Sequence, residues 1–125
     1  MSFIKTDISG LLIFEPKVLK DDRGYFYEAY NEKRFSEAGV TLRFVQDNQS
    51  FSTKGVLRGL HLQKGEHAQA KLVRVTQGEV LDVAVDLRKG SATYGQYESV
   101  LLSAENNQQF FIDEKKEITL IMFFL

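Results

Sequence analysis

The residues best equipped for chemistry are His61, Lys71 and Asp82, with Arg58 three positions before the histidine. His61 is one of only two histidines, and it lies in Gly55-Val-Leu-Arg-Gly-Leu-His-Leu-Gln63. Val56, Leu57, Leu60 and Leu62 would hold Arg58 and His61 in a partly dry place, where each needs a partner. Imidazole titrates near neutral pH, so His61 is either a general base or a structural histidine satisfied by a carbonyl or carboxylate. Asp82 lies mid-strand in Val80-Leu-Asp-Val-Ala-Val-Asp86, where an ionised carboxylate needs a cation or a donor. It serves either such a base or a buried ion pair. Asp86, before Arg88-Lys-Gly90, reads as a turn residue. Lys71 shares a face with Val73 and Val75, while Arg74 points the other way. It is either a solvated strand-end lysine or a cation able to stabilise an oxyanion or bind phosphate. Arg23 and Arg58 suit bidentate contact with a diphosphate, or plain surface ion pairs.

Positioning these groups is a matter of strands. Under strict alternation Arg58 and His61 fall on opposite faces, so they reach one site only if the strand twists or bulges between them. Gly59 is where that is expected. Earlier, Leu11 to Tyr30 reads as a hairpin bent at Pro16 and turning at Asp21-Asp-Arg-Gly24. Arg23 then sits at its turn and Glu28 on its returning arm. Asn31 to Ala38 is the one helical candidate, with Asn31 as N-cap and Gly39 as stop. Leu42 to Ser52 reads as extended and carries the hydrogen-bonding run Gln46-Asp-Asn48. Lys71–Thr76 and Glu79–Asp86 flank Gln77-Gly78, a hairpin signal. Gln96–Leu102 and Gln108–Ile112 follow, separated by the polar turn Ser103–Asn107. Many short strands with turn residues between them imply a sandwich, jelly roll or barrel.

The chain of 125 residues, 43% apolar and 26% charged, is the size and composition of one globular domain. Its net charge of −1 gives no electrostatic reason to expect nucleic acid or an anionic membrane as partner. With no cysteine, disulfides, thiolate metal sites and cysteine nucleophiles are excluded. The start lacks the basic and apolar regions of a signal peptide, and the longest apolar run, Ile118 to Leu125, is too short to span a bilayer as a helix. A cytoplasmic location is expected. No metal is expected either: Gln63 stands two after His61, so there is no His-x-His pair, and His67 reads as loop. Neither a glycine-rich phosphate loop nor a G-x-S-x-G elbow is present.

Seven segments occur in an order that resembles the dTDP-4-dehydrorhamnose 3,5-epimerase family. They are Phe14-Glu-Pro-Lys-Val18, Asp22-Arg-Gly24, Phe44-Val-Gln-Asp-Asn48, Gly55-Val-Leu-Arg-Gly-Leu-His61, Ala68-Gln-Ala-Lys-Leu-Val-Arg74, Gly78-Glu-Val-Leu-Asp-Val-Ala-Val-Asp86 and Leu102-Ser-Ala-Glu-Asn106. The resemblance implies an all-β cupin-type jelly roll (a double-stranded β-helix) with one short helix. It also implies a homodimer and no cofactor. The substrate it implies is dTDP-4-dehydro-6-deoxy-glucose, epimerised at C3 and C5 on the way to dTDP-L-rhamnose. By match to the family's motifs His61 would be the base and Lys71 would stabilise the enolate oxygen at C4. Asp82 would belong to the polar network beneath the site. Arg58, Gln46, Asp47 and Asn48 would bind substrate, and Arg23 and Glu28 would contact the nucleotide across the dimer.

The resemblance runs from about Leu11 to Ile112 and then stops. The family's tyrosine acid, its second histidine and the aspartate that orients the base all match positions beyond Ile112, and Gln49 stands where relatives often have histidine. Tyr25, Tyr27, Tyr30, Tyr94 and Tyr97 lie elsewhere, so none inherits the acid's role. Residues 1–125 read as a single domain with 113–125 a divergent tail, the pattern of a truncated or frame-shifted product. The tail is apolar on both strand faces, so it must be buried in the domain or in a partner subunit, or it is not a native ending. The first expectation is an epimerase, impaired for want of its acid. The alternative is a non-catalytic jelly-roll module that binds a nucleotide sugar. A metal-dependent cupin is disfavoured by Gln63.

Overall fold

Along Glu79–Asp86 the residues Val80, Asp82, Ala84 and Asp86 are buried while their neighbours are not, so this strand has one face turned to the core. The computed structural model describes residues 2–113 and 117–125, without the side chain of Leu60. Two four-stranded antiparallel sheets face each other across that core. One contains β1 (Ser2–Lys5), β2 (Leu11–Glu15), β6 (Lys71–Arg74) and β9 (Gln109–Ile112), in the order β1-β2-β9-β6. The other contains β5 (Leu57–His61), β7 (Glu79–Asp86), β8 (Tyr97–Ser103) and β10 (Ile118–Phe124), in the order β5-β10-β7-β8. A hairpin, β3 (Leu19–Asp21) with β4 (Gly24–Phe26), stands apart. The molecule is an all-β jelly roll with one short α-helix.

Leu11, Phe110 and Ile112 meet Ala84, Val100, Leu102, Ile118 and Leu120 between the sheets. A second cluster lies on the outer face of the first sheet, where Phe14 and Phe111 are covered by Phe35 and Val40. Phe35 belongs to α1 (Glu32–Glu37), which Asn31 caps by accepting from the Arg34 amide. At six residues α1 is too short to hold by propensity. Its anchor is the Phe3–Phe14–Phe35 ring cluster, with centroids 5.0–5.1 Å apart.

Two expected hairpins and one expected extended segment come out differently. The hairpin around Asp21–Gly24 is confined to β3 and β4, and β2 pairs instead with β1 and β9. Lys71–Thr76 and Glu79–Asp86 form no hairpin: β6 joins β9 in one sheet, and β7 lies between β8 and β10 in the other. The reason is burial. Val73 and Val75 pack on the same core as Ala84, and two strands facing each other across the core cover both apolar faces at once. Gly78, at φ +73°, turns the chain from one sheet to the other. Leu42 to Ser52 is in no strand among the described residues. Leu42 and Phe44 pack on the outer cluster, but beyond them Val45 is 87% and Phe51 74% exposed among the described residues.

The apolar end segment is resolved by its position. β10 is a central strand between β5 and β7, which buries Ile118, Thr119 and Leu120 within the domain. Of the charge run before it, Glu114 to Lys116 lie outside the described residues. Asp86 proves to be more than a turn residue. Its fully buried carboxylate accepts from Arg88 Nε (2.7 Å) and Nη2 (2.6 Å), Ser91 Oγ (2.8 Å) and Thr93 Oγ1 (2.6 Å), tying the following loop to the strand. No helix among the described residues is long and apolar enough to cross a membrane.

Candidate active site

The β5–β10 ladder places Arg58 and His61 on one face. His61 pairs with Leu120 and Arg58 with Met122, so Gly59 and Leu60 together oppose Ile121 alone. This one-residue bulge shifts the alternation and brings both side chains to the face that carries Leu120 and Met122. Gly59 makes it feasible, since its φ is +153° and an added Cβ would lie 3.1 Å from both Ile121 Cα and the Leu120 carbonyl oxygen. Gly59→Ala is therefore expected to cost roughly 1–3 kcal/mol. It should also displace His61. Urea denaturation would measure the first effect, and the chemical shifts of the imidazole protons the second.

The same face contains Asp82. Its row across the second sheet reads Arg58, Met122, Asp82, Val100, so Asp82 is two strand spacings, roughly 10 Å, from Arg58. The next row reads His61, Leu120, Ala84, Glu98. From the first sheet Lys71, paired with Ile112, points into the same interior beside Val73. His61 and Lys71 thus line one cleft, floored by Ile112, Ile118 and Leu120 and flanked by Gln63, Gln69 and Asp113.

Asp82 has no exposure to solvent, and neither carboxylate oxygen has a hydrogen-bond partner among the described residues. Burial pushes its pKa up to about 7, against the pull of the Lys71 charge and the nearby Val83 amide. The expected need for a cationic partner is met only at a distance, because Lys71 is not in ion-pair contact with it.

Arg58 and His61 are exposed in this chain rather than partly dry, because β5 is an edge strand. Arg58 finds neutral partners: Nε donates to Ser52 Oγ (2.8 Å), Nη2 to the Phe51 carbonyl (3.3 Å), and the guanidinium lies 5.7 Å from the Phe124 ring centroid. The other expected binding residues lie outside the cleft wall. Arg23 is ion-paired to Asp21 at 2.6 Å at the hairpin tip. Glu28 accepts from Asn31 Nδ2 and pairs with Arg34 at 3.5 Å. Gln46 Nε2 donates to Asn48 Oδ1, and Gln46, Asp47 and Asn48 are all exposed.

In the sequence Gln63 counts only against a metal and Gln69 carries no assigned role, yet both border the cleft. The available signal was spacing, since each stands two residues from His61 or Lys71 and so on the same side of an extended chain. No group of three side chains suited to a metal occurs among the described residues.

A family model described as dTDP-4-dehydrorhamnose 3,5-epimerase matches residues 5–116. The enzyme of that name from Methanothermobacter thermautotrophicus is 59% identical over 112 residues, which cover 90% of this chain and 60% of that protein. The crystal structure of the Elizabethkingia anophelis enzyme superposes with a TM-score of 0.91 at 52% identity, covering 100% of this chain and 68% of that one. The dTDP-6-deoxy-D-glucose-3,5-epimerase of Legionella pneumophila, solved with dTDP-4-keto-L-rhamnose, gives a TM-score of 0.89 at 51% identity, covering 99% of this chain and 65% of that one. The chain therefore spans about 60% of the length of the Methanothermobacter relative. These names lend no support to a non-catalytic module or to an impaired enzyme.

Proposed function

We propose, on the premise that this chain belongs to the dTDP-4-dehydrorhamnose 3,5-epimerase family, that it inverts C3 and C5 of dTDP-4-dehydro-6-deoxy-glucose. The observation that carries this reading is the meeting of His61 and Lys71, from facing sheets, across one cleft. Protons α to a ketone become acidic when the charge developing on its oxygen is stabilised. His61 takes the proton from C3 or C5, the C–H electron pair moves into the enolate, and the Lys71 ammonium holds the O4 charge. A proton from solvent water, delivered to the opposite ring face, completes the inversion, and the His61 imidazolium returns its own proton to water. Asp82, one row deeper, interacts with the Lys71 charge in its ionised form. No metal or organic cofactor enters this scheme.

Arg58 and Gln46, Asp47 and Asn48 are the substrate-binding residues on this reading, and Arg23 and Glu28 hold the nucleotide from the other subunit of a homodimer. A second copy accounts for the exposed apolar residues. Among the described residues Val45 and Phe51 lack cover, and the outer row Leu57, Phe123, Leu81, Leu101 crosses the second sheet without a layer over it. Sedimentation equilibrium should give twice the chain mass.

The reaction itself is tested in D₂O by NMR of the keto-sugar nucleotide. Deuterium should enter at C3 and C5 with formation of the L-configured product, and His61→Ala should slow exchange by at least about a hundredfold. Bound substrate with no exchange in the wild-type protein would refute the reading.

A further inference from the structure

We propose that Gln63 and Gln69 are specificity-determining residues that hold the hydroxyl-bearing C2–C3 edge of the sugar and set the ratio of proton abstraction at C3 to that at C5. The inference rests on the epimerase reading above. Gln63 lies two residues after His61 and Gln69 two before Lys71, so each amide accompanies a chemistry-bearing side chain at the wall of the same cleft. Both residues are exposed where they border the cleft, so their amides are open to a ligand. The cleft also has an apolar side, formed by Ile112, Ile118 and Leu120.

A 4-keto-6-deoxy sugar is divided in the same way. Its C2–C3 edge carries hydroxyls that donate and accept, as a primary amide does. Its C5 edge carries a methyl group and the ring oxygen, and has no donor. Matching amides to hydroxyls and aliphatic side chains to the methyl leaves one orientation in which both edges are satisfied. A site built to hydrogen-bond a hydroxyl discriminates strongly, because an unmatched pose strands polar groups. The two glutamines thus fix how the C3–H bond is presented to His61, while C5 is held by apolar contact.

The test compares Gln63→Leu, Gln69→Leu and the double variant with wild type, reading deuterium incorporation at C3 and C5 separately. Each single change should slow C3 exchange by about tenfold while C5 exchange changes by less than about threefold. Equal slowing at both carbons, or no change at C3, would overturn the proposal, since a merely structural role moves both together. Titration with dTDP-glucose and with dTDP alone provides a reading independent of turnover. The variants should lose affinity for the sugar nucleotide and keep it for dTDP. An unchanged preference for the sugar nucleotide overturns the assignment even in protein that shows no exchange. Absence of exchange in the wild type counts against the epimerase reading itself.

Discussion

Asp86→Ala is expected to lower the free energy of unfolding by about 3–5 kcal/mol, the cost of removing one partner from a buried, hydrogen-bonded ion pair. The Asp86 carboxylate has no exposure, and Arg88, Ser91 and Thr93 all donate to it. Together they hold its pKa well below the usual carboxylate range, with the Arg88 hydrogen bonds the largest influence. Removing the carboxylate leaves the Arg88 guanidinium only 18% exposed without its counter-charge, and frees the loop that returns to β8. Against a typical total stability of about 5–15 kcal/mol this is a large loss. Urea denaturation with an unchanged m-value should show it. A change below about 1 kcal/mol would mean that the loop is held by its backbone hydrogen bonds alone.

Asp82 is expected to act in the opposite direction. An acid whose folded pKa is raised keeps in the native state a proton that the unfolded chain has released. Between the ordinary value of 3.8 and about 7 the native state therefore binds more protons, and stability falls as pH rises. Over this window the loss is on the order of 4 kcal/mol, complete above about pH 7. Asp86 has a lowered pKa, so its contribution is present above the unfolded value and is lost only in acid. The difference between wild type and Asp82→Asn isolates the Asp82 term. The variant should match wild type near pH 4 and exceed it by several kcal/mol at pH 8, measured as urea midpoints across pH. Parallel stability curves for the two proteins would show that Asp82 finds a partner in solution.

This buried acid is the cost of the interior that the proposed reaction uses. A hydrophobic residue at position 82 would pack well between Met122 and Val100, yet the chain carries a carboxylate there without a direct partner. Its nearest compensating charge is Lys71, which the proposed chemistry needs as a cation. A local rule of core packing is broken at the site and obeyed around it.

Much of this protein was legible in the residues alone. Alternation along Glu79–Asp86, glycine and polar turns, and the cap at Asn31 specified the elements, because these depend on local geometry and on one periodicity. His61, Lys71 and Asp82 stood out because a titratable group in an apolar strand must be compensated, and Gly59 marked the bulge that puts Arg58 and His61 on one face. The family was also legible, from seven segments in order. Which strands pair was decided only by the tertiary structure. β6 and β7 adjoin in sequence but lie in opposite sheets, and the end segment, buried within the domain rather than against a partner, becomes a central strand. The carboxylate network of Asp86, and the positions of Gln63 and Gln69 beside the cleft, arose in the same way. Periodicity tells which face of a strand is buried, but not which face of another strand covers it. That choice is made by the closing of two sheets around a common core, whose energy belongs to no single segment.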